Sequence, residues 1–162
     1  LSQALLDETA LVACMVYVDL NPIRAKLCKT LEESEFTSIQ ERLKEFGKKA
    51  KQAEQNWLQP MATENVIDDG KSVLPIRQTD YFALVDWTGR AVRSDKRGAI
   101  PATVQPILQK LGAKQDRWVQ NTQYFGNRFG RVLGPIAQIK ALASTVNQKW
   151  LVGVGQARAL YR

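Results

Sequence analysis

The 162-residue sequence contains no histidine and only two cysteines. Without histidine, the chain cannot assemble serine–histidine–aspartate or cysteine–histidine nucleophile systems, nor the usual zinc sites. Cys14 and Cys28 are too few for a disulfide framework, and we interpret them as reduced thiols of a cytoplasmic protein. The chain by itself therefore lacks the residues of a self-sufficient enzyme.

Other patterns are also absent. No apolar run is long enough to cross a bilayer, so we expect no membrane partner, and no basic-then-apolar leader opens the chain. No glycine-rich phosphate loop occurs either. Because the first residue is Leu1, we expect the chain to begin inside a longer protein. With 44% hydrophobic and 24% charged residues, it has the composition of a folded domain with a core.

The charges are unevenly distributed along the chain. Residues 1–60 carry eight Lys/Arg and nine Asp/Glu, and residues 61–70 add three acids. Residues 71–162 carry fifteen Lys/Arg and four Asp/Glu, a net charge of +11. Such an asymmetry is typical of a segment that meets a polyanion, and nucleic acid is the expected one. The alternative is a basic surface that serves solubility alone.

Apolar residues at three- and four-residue spacing predict a mainly α-helical fold. Thr37-Ser38 and Thr79 are the expected caps of two of the helices, and Gly112 is an expected helix stop. Asn21-Pro22 should end the first helix, because a residue before proline avoids the helical region. The predicted helices cover residues 3–20, 39–55, 80–92, 103–111, 116–129 and 136–150.

A change of composition predicts a linker over residues 61–72. This stretch contains Asp68-Asp69-Gly70 and falls where the charge balance changes sign. We therefore divide the chain into a first segment, 1–60, the linker, 61–72, and a basic helical segment, 73–162, which we expect to bind DNA.

One short motif is specific enough to suggest a family. Residues 17–25 read YVDLNPIRA, which resembles the Tyr-x-x-x-Asn-Pro-x-Arg-Ala signature of the HUH tyrosine transposases, especially the REP-associated branch. Residues 79–101 resemble a C-terminal block of that branch's long members. The resemblance implies that residues 1–60 include the C-terminal helix of an α/β ferredoxin-like catalytic domain, followed by a basic helical bundle.

The resemblance also implies a chemistry. Tyr17 would be the nucleophile that attacks a DNA phosphate and forms a covalent 5′-phosphotyrosine. A divalent metal, Mg²⁺ or Mn²⁺, would polarise that phosphate from a His-hydrophobic-His pair on a strand. Asn21, four residues after Tyr17, would complete the metal shell or contact the phosphate, and Arg24 would bind the phosphate through its planar fork of donors.

Each of these residues has a simpler interpretation. A tyrosine on an apolar helix is usually a core residue, Asn21 before proline is a common helix terminator, and Arg24 suits an ordinary surface. The His-hydrophobic-His pair is absent from the sequence. The chain is then a fragment or the product of a truncated gene, and we predict that alone it cannot cleave DNA.

The basic segment offers candidate DNA contacts. Arg90, Arg93, Lys96 and Arg97 form the densest cluster, and Arg128 with Arg131 forms a second one. Phosphate contact is their expected role, which positions a protein without reading sequence. Four aromatic residues are candidates for stacking on unpaired bases, although aromatics at helical spacing usually belong to a core: Trp87, Trp118, Tyr124 and Phe125.

The leading hypothesis is a nucleoid-associated transposase portion that recognises hairpin-forming single-stranded DNA. Its rival is a non-catalytic nucleic-acid-binding module or regulator derived from a decayed transposase. A helical protein-interaction domain with incidental charge is a third hypothesis, and it predicts no salt-dependent affinity for DNA.

Overall fold

The computed structural model of the chain describes residues 4–47, 58–62, 73–93, 100–123, 125–128 and 132–161. This part is mainly helical, as predicted. Its helices are α1 (Glu8–Asp19), α2 (Asn21–Arg24), α3 (Ser38–Gly47), α4 (Gln78–Arg93), α5 (Gln105–Lys110), α6 (Gln115–Gln123), α7 (Phe125–Arg128), α8 (Ile136–Thr145) and α9 (Val154–Tyr161). Its strands are β1 (Ala4–Leu5), β2 (Met61–Ala62), β3 (Leu74–Arg77) and β4 (Val132–Leu133).

The first helix is shorter than predicted at its start. Asp7 caps α1 by accepting a 2.8 Å hydrogen bond from the Ala10 backbone N–H. Ahead of this cap, β1 pairs in parallel with β4, and the Leu6 backbone N–H donates to the Leu133 carbonyl. The beginning of the described chain is thus extended, because a distant strand supplies the partners that a helix would have supplied internally.

Proline 22 acts as expected and also begins a new helical turn. α1 ends at Asp19, and α2 follows at once with Pro22 in its first turn. Proline is tolerated there because the first-turn N–H groups have no partner within the helix. One helix therefore ends and the next begins within the YVDLNPIRA motif.

Two short parallel strands lead into the long helix α4. β2 pairs with β3, so Met61 and Ala62, the first residues of the predicted linker, lie in a strand. Residues 63–72 of that linker lie outside the described residues, as do residues 48–55 of the second predicted helix. α4 begins at Gln78, so Thr79 lies inside the helix and the prediction that it precedes the helix is wrong.

The C-terminal part departs most from prediction. The expected helix over 136–150 ends at Thr145, because Asn147 adopts φ 53° and its N–H bonds back to Ser144. α9 and the four strands were not predicted. The expected helix over 116–129 is described as two pieces, α6 and α7, and Tyr124 between them lies outside the described residues.

One hydrophobic core unites the described residues on both sides of the predicted linker. α1 packs against α4 and α6, and its Val12, Ala13 and Val16 are fully buried. A smaller cluster of Val132, Ile139 and Ala157 joins α8, α9 and β4. The two predicted segments therefore pack together, while the boundary between them stays a prediction.

Candidate functional site

Tyr17 lies near the end of α1, half-buried, beside two partners from different parts of the chain. Its ring stacks on that of Phe125, with 5.2 Å between centroids and 29° between planes. The Arg24 guanidinium carbon lies 4.4 Å from the Tyr17 ring centroid, within the range of a cation–π contact. Within the described residues the Tyr17 hydroxyl makes no hydrogen bond. Tyr17 is therefore held by its ring and not by its hydroxyl.

Arg24 is itself anchored. Its Nη2 donates to the Gln123 carbonyl at 2.8 Å, and its Nη1 donates to Asn21 Oδ1 at 3.1 Å. A guanidinium carries five N–H donors, so these bonds leave others for a further acceptor. The turn at Pro22 places Arg24 over the Tyr17 ring, and the end of α6 fixes its orientation.

Asn21 lies in α2 and not one turn further along α1. Because α1 ends at Asp19, Tyr17 and Asn21 lie on two different helices. Asn21 is exposed and remains near Tyr17 through Arg24. Its amide oxygen accepts from a guanidinium, an unfavourable neighbour for a cation, and no group of three His, Cys, Asp or Glu is gathered among the described residues. These residues alone do not fit a divalent ion.

Gly126 provides the space for the Tyr17 hydroxyl. A Cβ atom added to this glycine, in α7, would overlap that hydroxyl oxygen. Sequence reasoning missed Gly126 and Gln123, since no local pattern links them to the motif. We call Tyr17, Asn21, Arg24, Phe125 and Gly126 the Tyr17 cluster.

A second polar group starts two residues further along α1. The buried Asp19 carboxylate accepts bonds from Ser38 Oγ at 2.9 and 3.0 Å, from the Ile39 backbone N–H at 3.2 Å and from the Tyr81 hydroxyl at 2.5 Å. It thereby caps the first turn of α3 and ties it to α4. We call Asp19, Ser38, Ile39 and Tyr81 the Asp19 network.

Burial shifts the pKa values of the ionisable groups in and beside the Asp19 network. Burial raises the pKa of the Asp19 carboxyl above its usual range, and the bonds from Tyr81, Ser38 and Ile39 and the charge of Arg42 oppose this shift in part. Burial, followed by the Asp19 charge and hydrogen bond, raises the pKa of Tyr81. Burial lowers the pKa of Arg42, whose Nη2 donates to the Gln59 carbonyl at 2.9 Å.

The structure describes the predicted phosphate contacts only in part. Arg90 is exposed and forms an ion pair with Asp86 one turn earlier on α4. Both residues line a groove of about 330 Å³ beside Leu20 and Phe82. Arg93 and Arg128 end α4 and α7, and their side chains are outside the description. Lys96, Arg97 and Arg131 lie outside the described residues.

The predicted stacking aromatics belong mostly to the core. Trp87, Trp118 and Phe125 are no more than 4% exposed, so their faces are not available to a base. Trp118 also donates from Nε1 to Thr88 Oγ1 at 3.0 Å. Among the described tryptophans, Trp150 is the exposed one, and it lies beyond the end of α8 and not at the end of a helix as predicted.

The comparisons with known proteins add no relatives. No protein-family model matches the chain, and neither a curated protein nor a solved structure matches it. No helix in the described ranges is long and apolar enough to cross a membrane.

Proposed function

We propose that this chain is part of a transposase of the HUH tyrosine class that acts on hairpin-forming single-stranded DNA. In the complete protein, Tyr17 would be the covalent nucleophile on the C-terminal helix of a ferredoxin-like catalytic domain. The metal-binding histidine pair, and the Mg²⁺ or Mn²⁺ that it holds, would lie outside residues 1–162. The basic segment would bind the DNA.

The observation that carries the proposal is the setting of Tyr17. Its ring is fixed by Phe125 and Arg24, while its hydroxyl has no hydrogen-bond partner in the described part of the chain. A nucleophile needs an oriented side chain with an oxygen free to approach the reacting atom. A structural tyrosine, in contrast, has its hydroxyl satisfied when it is buried.

The chemical step is a displacement at phosphorus. The Tyr17 oxygen forms a bond to the phosphorus atom, and the bond from phosphorus to the 3′ oxygen breaks. The phenol proton is lost, and the leaving 3′ oxygen gains a proton to become a 3′-hydroxyl. Arg24, whose two hydrogen bonds within the described residues leave other guanidinium donors, would bind a non-bridging phosphate oxygen next to Tyr17.

The test is covalent capture of labelled single-stranded hairpin DNA by the protein extended upstream to include the required histidine pair. We expect a denaturant-resistant protein–DNA adduct whose modified peptide contains Tyr17. Tyr17→Phe should abolish the adduct, and the chain of residues 1–162 alone should form none. An adduct that persists in the Tyr17→Phe protein would refute the assignment.

The charge distribution also favours a second candidate, a non-catalytic nucleic-acid-binding module. It predicts that the chain binds hairpin DNA with an affinity that falls steeply with salt, because bound phosphates release counterions. It also predicts that no adduct forms even in the extended protein. Binding without capture would therefore favour the module over the transposase.

A further inference from the structure

The turn between α8 and α9 exposes an unusual set of side chains. Trp150 is 70% exposed, and Val146 and Val152 on either side are about half-exposed. Lys149, next to Trp150, is also exposed. Tryptophan is mostly buried in folded proteins, as Trp87 and Trp118 are here. An exposed indole beside a cation is a surface that a binding partner could use.

The backbone around Trp150 is held in place. Before it, the Asn147 N–H bonds to the Ser144 carbonyl at 3.1 Å and the Gln148 N–H to the Ala143 carbonyl at 2.8 Å, which ends α8 in a tight turn. After it, Leu151 packs on the Val132 cluster. Gly153 then adopts φ 146°, where a Cβ atom would press against the Val132 carbonyl. The backbone that carries the indole is thus an ordered turn, so less conformational entropy of the protein is lost on binding.

The charge of this region points to an anion. Residues 117–162 contain seven Lys/Arg and no Asp/Glu. Lys140, Lys149 and Arg158 are exposed, and none forms an ion pair within the described residues. An aromatic face with uncompensated cations is the combination that binds single-stranded nucleic acid, whose phosphates meet the charges while an unpaired base stacks on the ring.

We propose that Trp150, together with Lys149, is a stacking platform for an unpaired base of single-stranded nucleic acid. The inference rests on the proposed function for its substrate class and adds the residue that distinguishes a single strand from a duplex. Bases inside a duplex are already stacked on each other and offer no free face to the indole.

The experiment measures binding of the 162-residue chain to a fluorescent oligothymidine and to a duplex of equal length over a salt series. Trp150→Ala should weaken oligothymidine binding by roughly 5- to 150-fold and leave duplex binding unchanged. Trp150→Phe should retain most of the affinity. A plot of log affinity against log salt has a negative slope, and Lys149→Gln should make it shallower by about 0.7. Phe36→Ala is the control, since Phe36 is fully exposed and lies in the first segment, residues 1–60, outside the basic segment.

Equal oligothymidine affinities for wild type and Trp150→Ala, or no binding by the wild type at low salt, would overturn the platform. Trp150-dependent binding to anionic phospholipid vesicles, without an effect on oligothymidine, would assign the turn to a membrane surface and would also overturn it. None of these results affects the test of Tyr17, which is read from a covalent adduct.

Discussion

The Tyr17 cluster and the Asp19 network start two residues apart on α1, and each contains a tyrosine. The two tyrosine hydroxyls differ in burial and in hydrogen bonding. Tyr81 is fully buried, and its hydroxyl donates to Asp19. Tyr17 is half-buried, and its hydroxyl has no bonding partner within the described residues. A buried hydroxyl needs a partner because desolvation without a hydrogen bond is costly. The difference separates a tyrosine whose hydroxyl links two helices from one whose hydroxyl makes no hydrogen bond within the described residues.

Removing each hydroxyl in turn tests this difference and should give the largest contrast. Tyr81→Phe takes a donor from the buried Asp19 carboxylate and should lower the free energy of unfolding by about 1–2 kcal/mol. Tyr17→Phe removes an unbonded group and should change it by less than about 0.5 kcal/mol. Chemical denaturation of both variants provides the measurement. Equal losses would mean that the two tyrosines have the same structural role.

A glycine substitution sharpens the comparison on the Tyr17 side. Gly126→Ala should destabilise the protein by about 1 kcal/mol, because the new methyl group overlaps the Tyr17 hydroxyl and the ring is confined by Phe125 and Arg24. In the Tyr17→Phe background the loss should largely disappear, which a double-mutant cycle of unfolding free energies detects.

The matched control for this cycle is Gly155→Ala in α9. No atom lies within 4 Å of a Cβ atom added there, so alanine should be neutral or stabilising. A loss at Gly126 that is the same with tyrosine or phenylalanine at position 17 would contradict the contact.

The smallest effect concerns pH on the Asp19 side. Since burial raises the pKa of native Asp19, the folded protein holds this proton more tightly than the unfolded chain. The resulting stability is present below the unfolded-state pKa and is lost as the pH rises through the native-state pKa. Wild type should therefore gain stability relative to Asp19→Asn as the pH falls from about 7 to about 3. The opposite trend would show that the hydrogen bonds outweigh burial.

Sequence reasoning captured the local part of the fold and of the site. Helices were predicted where apolar spacing is regular, and α1, α3, α4, α5, α6 and α8 lie within or near the predicted ranges. Tyr17, Asn21 and Arg24 share one short motif, and the structure brings them together. A helix and the turn that follows it are determined by neighbours in sequence, so a motif of nine residues carries their geometry.

The missing part is long-range. The strands are two to four residues long, and each pairs with a strand elsewhere in the chain. They are too short to show an alternation of apolar and polar residues that would predict a strand. Phe125, Gly126 and Gln123 reach Tyr17 and Arg24 only through the packing of α6 on α1. The role of Asp19 was not predicted, because its partners Ser38 and Tyr81 lie on other helices. Asn147 is a residue type that commonly ends a helix, but the apolar spacing around it was given more weight and the helix was predicted to continue to residue 150.

The attachment of α1 at its first turn depends on residues at the other end of the described chain. β4 pairs with β1, and the Tyr161 hydroxyl donates to the capping carboxylate of Asp7 at 2.5 Å. During synthesis on the ribosome, β4 and Tyr161 emerge after α1. The strand pairing and the Tyr161 bond at the start of α1 therefore form only after residues 132–161 have been made. A product truncated before β4 would keep the Asp7 cap of the helix that carries Tyr17 but would lack the β4 pairing and the Tyr161 bond.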